Sequence, residues 1–375
     1  MSRELLGYVF LAVLCIIISP LYKSKTQQII HIPLVEQPTY TTIVKTDSPK
    51  TIVFLSDTFL PMTFAGSELS AYETLCYLRN RGHKVFIFLS KVEKPEYDGF
   101  KLYKYDAGDA FCRKTIIESD YVFYQMGEDP KKLEIVKLRN KPMYIFIHVV
   151  DNYSWLLQQK LSFPVVVVYN SHMTQDSLPT VHDNMRMVPY VNIDKFKSIR
   201  QNTIQNDVVC LINCNKNKGG DLLVNLAKQM PNVQFIGVKG GYSHQVIDGK
   251  SPANLTYMDN QQDITVVFKK IGILIMPSKN ETWGRTAVEA MASGVPVIHS
   301  ESPGLVECVG GAGIMCNHND DDAWAEAIKR LIGDRAYREH IRQYGFKRVE
   351  EIEEEQRRGR QELAIKIEET RLKSY

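Results

Sequence analysis

No Cys-x-x-Cys pair occurs in the 375 residues, and the seven cysteines (Cys15, Cys76, Cys112, Cys210, Cys214, Cys308 and Cys316) are scattered and odd in number. That spacing offers neither a zinc site nor a disulfide framework, and most of these thiols sit in apolar runs, where burial is their ordinary fate. Net charge is scarce too. Lys and Arg number 46 against 43 Asp and Glu, leaving +3, too little to argue for a nucleic-acid partner. No internal repeat stands out, which argues against a solenoid or propeller. What remains is 44% hydrophobic and 24% charged, a globular composition in a chain long enough for two domains, each with its own core.

One long apolar run is present. Leu5–Tyr22 holds eighteen residues without a charge. A bilayer is spanned by about 20 apolar residues, with about 17 as the lower limit. Both a cleaved signal peptide and an uncleaved signal anchor fit this length. No convincing small-x-small site follows Ile18, so a single-pass transmembrane anchor is the favoured reading. Arg3 and the α-amino group face Lys23 and Lys25 across the run, and the positive-inside rule gives no orientation. Residues 23–49, with Pro33, Pro38 and Pro49, read as an extended linker.

Beyond it, short β-rich runs alternate with helical periodicity. Thr51–Ser56, Val85–Leu89, Tyr121–Gln125, Met143–Val150 and Pro164–Tyr169 read as strands, with helices at Ser67–Arg81 and Pro130–Arg139. After a connector at Val188–Phe196 a second series begins. Its strands are Val208–Asn213, Val233–Val238, Ile273–Pro277 and Val295–His299. Its helices are Gly219–Gln229, Asp263–Ile271, Arg285–Ser293 and Asp320–Ile332, and a last helix runs from Arg335 to about Lys373. Such βαβ units imply two Rossmann-like, doubly wound α/β domains, at 50–192 and 193–345, followed by a C-terminal helix at 346–375. Ligands in such sheets bind beyond the carboxyl ends of the strands, so two facing domains share one cleft.

The most informative stretch is Pro277-Ser-Lys-Asn-Glu281-Thr-Trp-Gly284-Arg285-Thr286-Ala-Val-Glu289-Ala-Met-Ala-Ser-Gly294-Val-Pro296-Val-Ile. A buried strand delivers the loop, and Gly284 allows a close turn into a helix. The helix's first amides, around Gly284, Arg285 and Thr286, lack internal partners and form an anion site suited to a diphosphate. Glu281 and Glu289 can accept hydrogen bonds from vicinal hydroxyls, as on a ribose or hexose. Read blandly, this is a surface helix with two solvated glutamates.

The whole run, however, resembles the Glu-x7-Glu signature of retaining GT-B glycosyltransferases, in particular glycosyltransferase family 4 (glycosyl transferases group 1). The resemblance covers about residues 51–345 and is far more specific than a lone Gly-x-Gly-x-x-Gly. Asp57-Thr-Phe-Leu-Pro with Ala65-Gly66 resembles the family's first loop, and Gly66 matches the glycine whose backbone approaches the donor phosphate. Asn213-Cys-Asn-Lys-Asn-Lys218-Gly219 resembles the Arg-x4-Lys-Gly element. Lys218 matches the lysine that pairs with the diphosphate, whereas Asn213 stands where the arginine belongs. His148 matches the histidine beside the transferred sugar, and Gly304-Leu-Val-Glu307 the segment after the last core strands. The final helix resembles the one that crosses back to the first domain.

The resemblance implies an acceptor domain, then a nucleotide-sugar donor domain, and transfer from a nucleoside diphosphate sugar to a hydroxyl on a glycan, a lipid or a protein-linked glycan, with retention and without metal or other cofactor. Its implied roles are His148 and Glu281 at the sugar, Glu289 at the ribose, and Gly66, Lys218, Gly284, Arg285 and Thr286 at the diphosphate. Either another cation replaces the missing arginine, with Arg285, Lys216 and Lys239 as candidates, or the enzyme is slow. The alternative is a catalytically silent, membrane-anchored module of the same fold that binds a sugar or a partner enzyme; the retained Glu281, Glu289, Lys218 and Gly284 argue against it.

Three weaker signals complete the reading. His172 lies at another strand end and is a second-rank site candidate. Asp320-Asp-Asp322 contains the Asp-x-Asp pattern of metal-dependent transferases, but at a helix start, where acids favour the dipole. Sequons at Asn152, Asn254 and Asn280 bear on topology: a glycan on Asn280 would obstruct Glu281, which favours a cytosolic catalytic part over a lumenal one.

Overall fold

A computed structural model describes residues 45–125, 130–150, 154–200, 206–241, 243–247 and 251–369. The expected anchor at Leu5–Tyr22 lies outside the described residues. Among those described, no helix is long and apolar enough to cross a membrane. From Thr46 onward the expected linker is pinned: the Thr46 amide donates to the Arg81 carbonyl at 2.8 Å.

The first sheet comprises β1 (Thr51–Ser56), β2 (Lys84–Leu89), β3 (Glu96–Tyr97), β4 (Phe100–Lys104), β5 (Tyr121–Gln125), β6 (Met143–Ile147), β7 (Val165–Tyr169) and β8 (Asp183–Arg186), in the order β3-β4-β2-β1-β5-β6-β7-β8. All its pairings are parallel except β3 with β4. Helices α1 (Gly66–Asn80), α2 (Ala110–Glu118), α3 (Glu134–Leu138), α4 (Ser154–Gln158) and α5 (His172–Ser177) alternate with these strands. Separate apolar clusters fill the sheet's two faces, which is why β5, β6 and β7 read as unbroken buried runs rather than alternating ones.

After α6 (Ile193–Lys197) comes a second, all-parallel sheet. Its strands are β9 (Val209–Ile212), β10 (Phe235–Val238), β11 (Leu255–Met258), β12 (Ile273–Met276), β13 (Val297–Ser300) and β14 (Ile314–Cys316), in the order β11-β10-β9-β12-β13-β14. Around it lie α7 (Gly220–Gln229), α8 (Thr265–Phe268), α9 (Arg285–Ala292), α10 (Pro303–Val309) and α11 (Asp321–Gly333). Strand order reverses between β1 and β5 in one sheet and between β9 and β12 in the other, and such reversals open the crevices in which α/β folds bind ligands.

Several elements depart from the sequence-based expectation. Between Val85–Leu89 and Tyr121–Gln125, where the sequence pattern marks no helix, α2 forms; its cap is Asp109, whose carboxylate accepts the Cys112 amide at 2.7 Å. Strand β6 stops at Ile147, leaving His148 just past its end. The helix expected at Pro130–Arg139 is a short 3-10 turn followed by α3. β8 and α5 carry too little apolar pattern to stand out.

The last helix, α12 (Arg335–Glu369), ties the two halves together. Its Val349 and Ile352 are buried in the second domain's core, while Leu363 and Ile367 are buried in the first's. Near its end Glu368 accepts both Nε and Nη2 of Arg81, each at 2.7 Å, and His83 Nε2 lies at 3.1 Å. Burial alone would raise the Glu368 carboxyl, but the hydrogen bonds and charge of Arg81, with His83 and Thr46, hold it below the usual range. A depressed carboxyl stabilises the fold above its unfolded pKa, and that contribution fades as pH falls through the folded value. Glu368→Gln should therefore cost about 2 kcal/mol at neutral pH, with the gap to the unaltered protein closing in acid. Urea denaturation at several pH values checks this; a gap that is constant with pH would contradict it.

Candidate active site

The loop after β12 enters α9 through Gly284, whose φ of 119° is in the left-handed region. A Cβ there would lie 2.7 Å from Leu305 Cδ2, so both conformation and space require glycine. The Ala287 amide closes back on the Gly284 carbonyl at 2.8 Å. The amides of Arg285 and Thr286 donate to no acceptor among the described residues. This is the uncapped N-terminus expected of an anion site.

Beside it, Glu281 Oε2 accepts from Lys218 Nζ, and from Ser278 Oγ at 3.2 Å. The geometry that permits this pair is local. Lys218 ends a 3-10 turn whose cap, Asn215 Oδ1, accepts the Lys218 amide at 2.9 Å. Gly219, at φ 89°, then lets the chain press against Pro277 of the neighbouring loop. Ser302 Oγ accepts the Glu281 amide at 2.8 Å and fixes the loop from below.

Asn213 has its own structural account. Its side chain is buried, and Oδ1 accepts from Asn215 Nδ2 at 3.1 Å and from Gln245 Nε2 at 3.2 Å. Gly240 passes so close that a Cβ there would collide with the Asn213 amide. An uncharged cluster and a tight loop occupy the space an arginine would need. Of the proposed replacements, Lys239 binds Asp259 at 2.7 Å and Lys216 is exposed. Arg285 donates Nε to Glu289 at 2.9 Å and Nη1 to the Tyr190 carbonyl. Glu289 is buried; burial pushes its carboxyl up, and the Arg285 charge offsets part of that rise.

From the first domain, Gly66 opens α1 with an exposed backbone, and nothing lies within 4 Å of where its Cβ would be. Behind it, buried Glu68 accepts Thr58 Oγ1 at 2.6 Å and Ser67 Oγ at 2.7 Å, holding the first loop to the helix. Half-buried His148 has its Nε2 2.9 Å from Gln125 Oε1. Burial pushes its imidazolium down to about 4, so the ring is neutral at physiological pH.

The domains meet here through Thr282 and Asn170, which the sequence did not single out, and through Glu307, which it named only as part of a segment. Thr282 Oγ1 donates to the His148 carbonyl at 2.7 Å and accepts from Asn170 Nδ2 at 3.2 Å. Glu307 from α10 accepts the amides of His172 at 2.9 Å and Met173 at 3.2 Å, capping α5 across the cleft. Thr282 thus ties the His148 carbonyl to the residue that follows Glu281. The His172 ring has Arg186 as its partner, 2.7 Å from Nδ1, and is not joined to this group. Asp320 caps α11 by accepting the Ala323 amide at 3.0 Å, while Asp321 and Asp322 bind Asn225 and Gln229. Among the described residues no group of three or more His, Cys, Asp or Glu is placed to hold a metal ion.

Two doubly wound domains facing one cleft define the GT-B fold, and known proteins agree with it. Residues 192–348 match the profile of the family described as Glycosyl transferases group 1. Among solved structures, Anabaena HepE in complex with UDP and glucose superposes with a TM-score of 0.67, at 17% identity over 84% of this chain and 99% of that one. WaaG, a glycosyltransferase involved in lipopolysaccharide biosynthesis, gives 0.61 at 12% identity, over 85% of this chain and 100% of that one. In sequence, a D-inositol 3-phosphate glycosyltransferase of Corynebacterium urealyticum is 33% identical over 75 residues, 20% of this chain and 18% of that protein. The capsular polysaccharide biosynthesis glycosyltransferase CapM of Staphylococcus aureus is 32% identical over 99 residues, 26% of each chain. These sequence matches therefore span about a fifth to a quarter of the relatives' own length.

The backbone at Gly284 yields a direct test. Gly284→Ala should lose about 2 kcal/mol from the left-handed conformation and the Leu305 contact together, measured by urea denaturation. An unchanged midpoint would mean that the turn relaxes freely.

Proposed function

We propose that this chain is a retaining glycosyltransferase of family 4 that moves a sugar from a nucleoside diphosphate sugar to a hydroxyl acceptor on a glycan or lipid. One observation carries the proposal: the Lys218–Glu281 pair lies in the loops that lead to the open amides of α9, at a strand-order reversal, and Thr282, next to Glu281, is bonded to the His148 carbonyl of the other domain. In support, HepE was solved with UDP and glucose.

In this reading the sugar's anomeric carbon leaves the diphosphate oxygen and bonds to the acceptor oxygen on the same face. The acceptor's proton passes to the departing phosphate. Lys218 and the amides of Arg285 and Thr286 stabilise the charge that develops there, and the backbone at Gly66 closes on it from the opposite domain. No metal is called for. Glu281 and His148 hold sugar hydroxyls and orient the anomeric carbon, and Glu289, steadied by Arg285, takes the ribose hydroxyls.

Leu5–Tyr22 would anchor the protein in a membrane, with the catalytic part on the cytosolic side. Two side chains support that orientation. Asn280 is exposed beside Glu281. Asn254 is buried, with Nδ2 donating to the carbonyls of Ala227, Met230 and Val233 at 2.8–3.0 Å, so a glycan on it is incompatible with this fold. Glycosidase treatment of the cell-expressed protein should leave its mobility unchanged; a shift would place the catalytic part in the lumen.

A thermal-shift screen of the full chain against UDP-, GDP- and ADP-sugars should find one stabilising donor class. Hydrolysis or transfer of that donor should survive chelation and fall by about 100-fold or more in Glu281→Ala. Donor binding with no turnover in the unaltered protein would instead establish the catalytically silent module.

A further inference from the structure

Gln125, the last residue of β5, is buried and has no part in the chemistry above. Its two amide ends have different partners. The Ser67 carbonyl can only accept, so the end that faces it, at 3.3 Å, is Nε2. Oε1 is then the end that faces His148 Nε2, at 2.9 Å. An amide oxygen can only accept in its turn, so Nε2 of His148 carries the hydrogen. A neutral imidazole has one ring hydrogen. Nδ1 is therefore a bare lone pair, and it has no partner among the described residues. The polar groups bonded to His148 are uncharged: Gln125 at the ring, and Thr282 and Asn170 at its carbonyl. Nothing bonded to the ring favours the imidazolium, and burial alone accounts for its lowered pKa.

We propose that Gln125 is a positioning residue that fixes His148 as a hydrogen-bond acceptor at the cleft, so that the site takes donor sugars presenting a hydroxyl to Nδ1 and rejects those presenting a carboxylate there. Ser67 is the second half of the device. It lies next to Gly66, so the same amide links the ring to the start of α1. A hydroxyl donates to Nδ1, whereas a carboxylate meets a lone pair with its own negative charge and finds no proton between them. The specificity part rests on the glycosyl-transfer reading; the tautomer part does not.

The two parts are tested separately. In the full chain labelled with 15N-histidine, long-range proton–nitrogen correlations report the tautomer of His148, assigned by loss of its signals in His148→Asn. The expected result is the Nε2–H form at pH 7, still neutral at pH 5.5. Gln125→Glu places a carboxylate against the ring and should raise its titration midpoint by about one pH unit or more. Gln125→Met, of similar size, should leave a mixture of tautomers. An Nδ1–H ring in the unaltered protein, or a ring unmoved in both variants, overturns the assignment. Should Gln125→Glu not fold, Gln125→Met and the unaltered protein still decide it.

For specificity, a nucleotide hexose is compared with the matching nucleotide uronate. The hexose should be preferred by at least about tenfold in kcat/KM, and Gln125→Met should narrow that preference. Equal turnover of the two overturns the specificity part. Absence of turnover with every sugar counts against glycosyl transfer and leaves the tautomer result standing.

Discussion

A lysine and a glutamate from two separate loops, Lys218 and Glu281, form an ion pair at the carboxyl ends of β9 and β12, and much of the second domain serves that meeting. Both side chains are largely withdrawn from water, at 20% and 17% exposure, so neither charge is well hydrated on its own. A half-buried charge left alone costs several kcal/mol, and the pair is therefore mutually required. Gly219 against Pro277, the Asn215 cap and Ser302 beneath the Glu281 amide all fix its geometry. On the proposed reading, an arriving diphosphate would compete for the lysine and sugar hydroxyls for the carboxylate of this same pair.

The first domain reaches the loop that carries Glu281 through its backbone as much as through side chains. Thr282, the neighbour of Glu281, donates to the His148 carbonyl, and Glu307 caps the start of α5. The α12 helix completes the link from behind, with one end in each core and Glu368 bound to Arg81. The described hydrogen bonds across the cleft are thus few and directional, and on the proposed reading they would rearrange as the domains close around a donor.

What could be read in the sequence follows physical lines. The fully buried strands announced themselves as apolar runs, and the glycine before α9 was legible because its loop, helix and paired glutamates occur together. Edge strand β8 was not, since Asp183-Asn-Met-Arg has one buried residue and little β character. The pairing of the Arg285 side chain with Glu289 follows from their (i, i+4) spacing, which puts both on one helix face. Thr282, Asn170 and Gln125 left no signal, because a neutral hydroxyl or amide is informative only once its partner is known, and each of their partners lies in a distant segment. Asn213 looked like a lost charge; beside Asn215, Gln245 and Gly240 it belongs to a polar cluster that has no room for one.

The central claim is that the Lys218–Glu281 pair and the α9 amides form a nucleotide-sugar site. A crystal structure of the chain with a bound nucleoside diphosphate sugar addresses it most directly. The account predicts the diphosphate on Lys218 and the amides of Arg285 and Thr286, with the sugar between Glu281 and His148. A nucleotide bound elsewhere, with the Lys218–Glu281 pair undisturbed, would contradict it.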